Sequence, residues 1–355
     1  MKSFFIVFAL FYYANLFGKQ PDIAAYYKYI NSAEISICEG NLSNSLSCYR
    51  KAYGMLGNSM PSRYLRNYFI VSVYLNEHND ERNILAELKR RGWDSISFKK
   101  MTDDFFSEKA PELTHLYYTT LKNVQTSIDF RYCDILDSLV TIDSTTNRHL
   151  RSLNAGIFNE STSDSFHKMT DENIHYLKKL FEAKFPSDSL IGSKGYASSS
   201  PRYQIILIHN SQGFQSRILD SCLFSATQSG KLDIIELEEY LENYQRGDRN
   251  FKNVVVDGSL KDVNIFPYDF MVFNDSLFEF SAPRDSMLEA CNKNRLAFPG
   301  FCSAEELRTK IIFEYDHPQY SFTNRDYARE LTELSSQLPQ SIRKKLKYIK
   351  SKTNR

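Results

Sequence analysis

The sequence predicts a mainly α chain with a minor β component. A short array of helical hairpins leads into a helical domain that carries one small β-hairpin. Apolar residues recur at the helical period from Ile23 to Gly92, and again through most of the stretch from Gln125 to Tyr244. Between Phe270 and Phe280 the period changes: Met271-Val272-Phe273 and Leu277-Phe278-Glu279-Phe280 flank the turn residues Asn274-Asp275-Ser276. The 355 residues are 42% hydrophobic and include 26 Phe and 23 Tyr, enough for two domains with sizeable cores and incompatible with wholesale disorder. With 44 basic and 43 acidic residues the net charge is +1, which argues against nucleic acid as the main partner.

The first element, residues 1–18, reads as an export signal. Lys2 supplies the positive start, an apolar run from Phe4 to Phe17 follows with Asn15 as its one polar interruption, and Gly18 offers a small residue for cleavage before Lys19-Gln20-Pro21-Asp22. The run is shorter than the roughly 20 apolar residues a spanning helix needs. Export places the mature chain in a secreted or periplasmic, oxidising setting, where the six cysteines could pair. There is no C-x-x-C, so a zinc ribbon or dithiol redox site is not expected. Cys38 and Cys48 would lie at different heights on two antiparallel helices. Cys291 and Cys302, flanking Pro299-Gly300, are the better-placed pair.

Residues 19–122 form the hairpin array. In Ala33–Ala52 (AEISICEGNLSNSLSCYRKA), small and aromatic residues fall at Ala33, Gly40, Leu42, Ser45, Tyr49 and Ala52. This spacing resembles the tetratricopeptide repeat. The resemblance implies a turn at Gly40, close helix approach at Ser45, where the family has alanine, and Tyr49 and Ala52 packed beneath the next hairpin. Pro61-Ser62 opens a second hairpin through Tyr64, Tyr68, Val71 and Leu75. Its turn is expected at Asn79-Asp80, with Asp80 as N-cap, and its second helix ends at Gly92. Gly92-Trp93-Asp94 with Asp103-Asp104-Phe105 resembles the segment that closes such arrays. Two hairpins are fewer than the three or so repeats that stand alone, so the array is expected to lean on the second domain. It is read either as a concave surface for a protein or peptide partner, open near Tyr26, Tyr64 and Tyr68, or as a helical spacer.

Residues 123–316 form the second domain. Helices are expected over Gln125–Leu139 and Thr145–Leu153, then a polar loop over Asn154–Asp164. A helix capped by Thr170-Asp171 follows and stops at Phe185-Pro186. Tyr203–His209 (YQIILIH) fits a buried strand or a buried helix equally. Ser216–Ser229 and Leu232–Tyr244 read as helices, with Gly230 between them. The β-hairpin lies near 269–281. A helix from about Arg284 comes next, then one capped by Ser303 with Glu306 at the capping-box position. Residues 317–355 read as a basic helical tail: Ser341–Arg355 holds seven basic residues and no acidic one, with Ile342, Leu346 and Ile349 at helical spacing. A weak contact with an anionic surface is expected there.

Asn173-x-x-x-Leu177, Phe185-Pro186-Ser187 running to Ile191-Gly192, His209 after its apolar run, Ala226-x-x-x-Gly230-x-Leu232 and Arg295 through Gly300 to Glu305-Glu306 follow one another along about half the chain. In that order they resemble a domain-of-unknown-function family of exported bacterial proteins, sometimes preceded by tetratricopeptide-like helices. The family's Asp-Arg pair and Gln-x-Tyr-Gly stretch are replaced here by Tyr240-Leu241-Glu242-Asn243 and Pro267-Tyr268-Asp269. The resemblance makes His209, Tyr268 and Arg295 the candidate binding residues and implies no activity.

No G-x-S-x-G, H-E-x-x-H, Walker A, G-x-G-x-x-G or EF-hand loop occurs, which excludes those motif-bearing classes. His149, His167, His175 and His209 contain no i, i+4 pair, so no metal site and no cofactor are expected. Glu236, Glu238, Glu239 and Glu242 read as a solvated helix face. The expectation is an exported, non-enzymatic interaction or structural protein. The alternative is a cell-envelope hydrolase using His209 with unidentified carboxylates.

Overall fold

The structure, a computed structural model, describes residues 22–154, 160–192, 203, 206–207, 216–237, 240, 254–256, 259–261, 269–273, 276–280, 285–296, 300–323, 328–330 and 346–351. The chain is mainly helical, with a β-hairpin at the expected place. The export signal at 1–18, His209, Tyr268 and the acidic residues Glu238, Glu239 and Glu242 lie outside the described residues. No helix among the described residues is long and apolar enough to cross a membrane.

Two antiparallel hairpins open the fold: α1 (Ile23–Cys38) with α2 (Leu42–Leu56), then α3 (Ser62–Leu75) with α4 (His78–Arg90). The first turn is a Schellman closure. Gly40 N–H bonds the carbonyl of Ile37 and Asn41 N–H that of Ser36, with Gly40 at φ 76°, a conformation glycine adopts without a Cβ clash. Ala33, Ser45, Tyr49 and Ala52 are all buried where the two helices meet, and Tyr49 stacks on Tyr68 of α3 with ring centroids 5.6 Å apart. The second turn comes earlier than the sequence suggests. Asn76 takes the left-handed conformation at φ 58°, which asparagine tolerates better than most residues, and α4 starts at His78. Asp80 then falls inside the first turn of α4, where it pairs with Arg50 of α2. α3 begins after Pro61, which has no side-chain acceptor; Asp188, from the far side of the chain, accepts the Ser62 N–H at 2.7 Å instead. Arg91, fully buried, stitches the end of α4 to the inter-hairpin loop through the carbonyls of Met60 and Asn58 and the carboxylate of Glu87.

α5 (Ser95–Phe105) is capped by Asp94, which accepts from the N–H groups of Ile96 and Ser97. The short α6 (Ala110–His115) and a π-helical turn over Leu116–Thr120 complete this part. α7 (Phe130–Asn154) and α8 (Glu160–Ala183) then pack as a long antiparallel pair. Both are longer than the sequence pattern indicates. The two helices expected between Gln125 and Leu153 are one, and the Ser/Thr-rich stretch expected to loop as far as Asp164 is helical from Glu160. Thr170 and Asp171 are therefore inside α8 rather than at its cap. Polar residues weaken the periodicity signal there.

After α9 (Asp188–Ile191) and α10 (Asp220–Gln228), residues 234–237 and 240 are helical. The described part of Tyr203–His209 settles its ambiguity toward helix, since 206–207 are helical and Tyr203, Ile206 and Leu207 are buried. β1 (Val254–Val256) and β2 (Ser259–Lys261) form a small antiparallel pair. The predicted hairpin is β3 (Asp269–Phe273) with β4 (Ser276–Phe280), and it sits at the centre of a four-stranded sheet of order β5-β3-β4-β6, with β5 (Ala328–Glu330) parallel to β3 and β6 (Leu346–Ser351) antiparallel to β4. Leu346–Ser351 is a strand and not part of the expected helical tail. The spacing of Leu346 and Ile349 suits a helix, but the edge of β4 offers a ladder of backbone partners, and Ile349 packs onto the small core of Phe270, Leu277, Cys302, Leu307 and Ile311.

α11 (Asp285–Leu296) and α12 (Ala304–Asp316) close the fold, α12 with the predicted capping box between Ser303 and Glu306. The main core runs without a break from Tyr26 in α1 to Phe322, so the hairpin array and the later helices share one apolar interior.

Candidate functional site

Charged residues converge where α1 and α3 meet α12 and the segments that follow α10 and α12. On α1 the positions Tyr27, Ile30, Asn31 and Glu34 share one inward face by the helical period. On α3, Arg63, Tyr64 and Asn67 do the same. Glu34, Arg63, Asp233, Lys310 and Glu314 are all buried. The enclosure demands that each charge be paired, and the pairs cross between distant parts of the chain. Lys310 Nζ donates to Glu34 Oε2 at 2.6 Å. Arg63 Nε lies 3.0 Å from Asp233 Oδ2, while Tyr64 donates its hydroxyl to Asp233 Oδ1 at 2.7 Å. Tyr27 donates to the carbonyl of Leu232, and Asn31 to Glu306 of the α12 capping box.

Burial pushes the Glu34 carboxyl up to about 7, against the opposing pull of Lys310. Burial acts on Lys310 in the opposite sense, but Cys302, Glu34 and Glu306 outweigh it and hold the ammonium charged. Burial likewise disfavours the Arg63 cation, and Asp233, with Tyr64, Glu314 and Glu236 behind it, more than reverses this. The Tyr64 hydroxyl is raised well above its ordinary value, by burial first and then by Asp233.

A second set of bonds holds a stretch without helix or strand, residues 319–323, against α3. Asn67 Nδ2 donates to the carbonyl of Ser321 at 2.8 Å, and the Ser321 N–H returns a bond to Asn67 Oδ1 at 3.1 Å. Arg63 Nη1 donates to the carbonyl of Thr323 at 2.8 Å. From the opposite side Glu314 Oε2 accepts from the N–H groups of Phe322 and Thr323 and from the Thr323 hydroxyl. Most of these bonds read main chain rather than side chain.

Beside the Glu34–Lys310 pair is a cavity of about 20 Å3, lined among others by Asn31, Tyr64, Arg295 and Phe301. That is room for about one water molecule and no more. Glu34 Oε1 and Asn31 Oδ1 are buried acceptors without a hydrogen-bond donor among the described residues.

The surface expected to be open near Tyr26, Tyr64 and Tyr68 is closed: the three rings are 0%, 1% and 2% exposed. The array's own α2 covers Tyr68 with the rings of Tyr49 and Tyr53, and Asp233, from the segment after α10, closes over Tyr64. Of the three sequence-derived binding residues, Arg295 is the one described. It is fully buried, donates to the Cys302 carbonyl at 2.7 Å and lies over the Phe301 ring at 5.2 Å, so it fixes the loop before α12. Cys291 and Cys302 are free thiols rather than a disulfide; the Cys302 sulfur is turned toward Arg295 Nη2, 3.7 Å away. Glu34, Asn67, Asp233 and Lys310 went unread in the sequence. Their signal was a charge or amide placed on an apolar helical stripe, such as Glu34 between Ile30 and Ile37 or Lys310 beside Leu307 and Ile311.

An open concavity of about 580 Å3 lies at the end of this region, bounded by Ile37, Gly40, Leu42, Tyr74, His317 and Tyr320. Comparison with protein-family models, with curated proteins and with solved structures finds no match for this chain.

Proposed function

We propose that the protein is a non-enzymatic interaction or structural protein, acting outside the cytoplasm after removal of residues 1–18. Its hairpin array, of the tetratricopeptide kind, holds polypeptide by its main chain. The observation that supports this reading is the two-way pairing of the Asn67 amide with the backbone of Ser321, backed by Arg63 on the Thr323 carbonyl. Side chains on the inner face of α3 thus grip a peptide stretch through groups every residue possesses. The array already holds one such stretch, supplied by its own chain. The neighbouring concavity beside Tyr74 is where a partner chain would meet it.

Two measurements test the reading. N-terminal sequencing of the protein from fractionated cells should find a chain beginning near Lys19 outside the cytoplasm; an intact Met1 end on soluble cytoplasmic protein overturns the export component. A photo-crosslinking residue at position 74 should yield a discrete protein adduct in cells. No adduct at 74, with the chain folded and exported, overturns the interaction component.

A further inference from the structure

We propose that His78, Glu81 and Glu112 form a site for a divalent metal of the zinc class, pinning α6 to the start of α4. His78 and Glu81 stand three residues apart on α4 and so share a face. Glu112 reaches them from α6. His78 Nδ1 lies 3.2 Å from Glu81 Oε2 and 3.6 Å from Glu112 Oε1, and one donor atom from each residue falls within 4.8 Å of the other two. A tetrahedral centre with bonds of about 2.0–2.1 Å sets its ligand atoms about 3.3–3.4 Å apart. The two distances from the imidazole bracket that spacing, and the metal would bind Nδ1 in its unprotonated form.

A second observation concerns charge. The Glu81 side chain is 5% exposed, whereas those of His78 and Glu112 are 65% and 63% exposed. A carboxylate buried to that degree calls for a positive partner. Among the described residues its side-chain partner is the His78 ring, and no lysine or arginine pairs with it. Two other cations of these helices are engaged elsewhere: Arg50 with Glu77 and Asp80, Lys109 with the Val73 carbonyl and Asn76. A divalent ion would neutralise Glu81 and Glu112 together. One imidazole with two carboxylates suits zinc better than magnesium or calcium, which prefer oxygen alone. With three protein donors, water would take the fourth position.

The test is thermal unfolding of the full chain with zinc chloride, with calorimetric titration for stoichiometry. One zinc per chain is expected, with a melting temperature raised by roughly 4 °C once free zinc exceeds the dissociation constant about 100-fold. His78→Ala and Glu112→Gln alter exposed side chains, so both variants should fold, and both should lose the shift. His175→Ala, which removes another exposed ring, should keep it. An absent shift in the unaltered chain, a shift that survives His78→Ala, or an equal shift with calcium chloride overturns the assignment.

Discussion

Glu34 and Lys310 set the charge balance where α1 meets α12, and their burial makes each dependent on the other. Glu34 is held at about 7 in the folded chain, above its ordinary value near 4.5, so its protonated form favours the native state. That contribution is fully present below about 4.5 and is lost as pH rises through about 7. Urea unfolding between about pH 5 and pH 8 should therefore show a component of stability that declines with rising pH. Glu34→Gln should flatten that component; an unchanged slope in the variant means the carboxyl is not held high. Removing the cation alone has a larger effect. Lys310→Met strands the Glu34 carboxylate and should lower stability at pH 8 by about 3–5 kcal/mol, whereas combining it with Glu34→Leu should recover most of the loss. Equal losses in the single and double variants would show that shape, rather than charge pairing, governs this position.

Two glycines separate backbone freedom from packing at the scale of the element. Gly300 sits at φ 109°, and an added Cβ would lie 2.8 Å from the Tyr27 ring. Gly300→Ala therefore strains the backbone and pushes α1 away from the loop before α12, with an expected loss of about 2–4 kcal/mol in denaturant unfolding. Gly54 lies inside α2 with nothing within 4 Å of its added Cβ, so Gly54→Ala should instead gain about 0.5–1 kcal/mol. A loss at Gly54 or a neutral result at Gly300 would contradict the packing described for these helices. Where an element's ends rest on local chemistry, the sequence alone discloses them. The Ser303–Glu306 capping box, the Gly40 turn and the pairing of β3 with β4 are each local, and each falls where the residues indicate. Where an end depends on a distant partner, the residues mislead. Leu346–Ser351 takes its conformation from the edge of β4. The contact between α3 and residues 319–323 was hidden for the same reason. Ser321 and Asn67 are 254 residues apart, and neither sequence neighbourhood names the other.

The whole molecule closes on itself, because α1 packs against α12 and the array's inner face is filled by residues from the chain's last third. A single apolar interior spans both halves, so the array should not melt independently of the remainder. Trp93, the sole tryptophan, is buried against Phe69 and Phe98 at the far end of the array and serves as its reporter. In the intact chain the loss of Trp93 fluorescence and the loss of helical circular dichroism should coincide in urea. Truncation after Asp316 removes residues 319–323 and β6 without touching any neighbour of Trp93. It leaves Arg63 without the Thr323 carbonyl and Asn67 without the Ser321 main chain. Each deserted buried polar group costs about 1–3 kcal/mol, so the Trp93 transition should move to clearly lower urea although nothing beside the tryptophan has changed. An unmoved Trp93 midpoint in the truncated chain would mean that the hairpins are stable without the segment they hold. In that case the filled inner face would be an accessory of the fold rather than the contact that completes it.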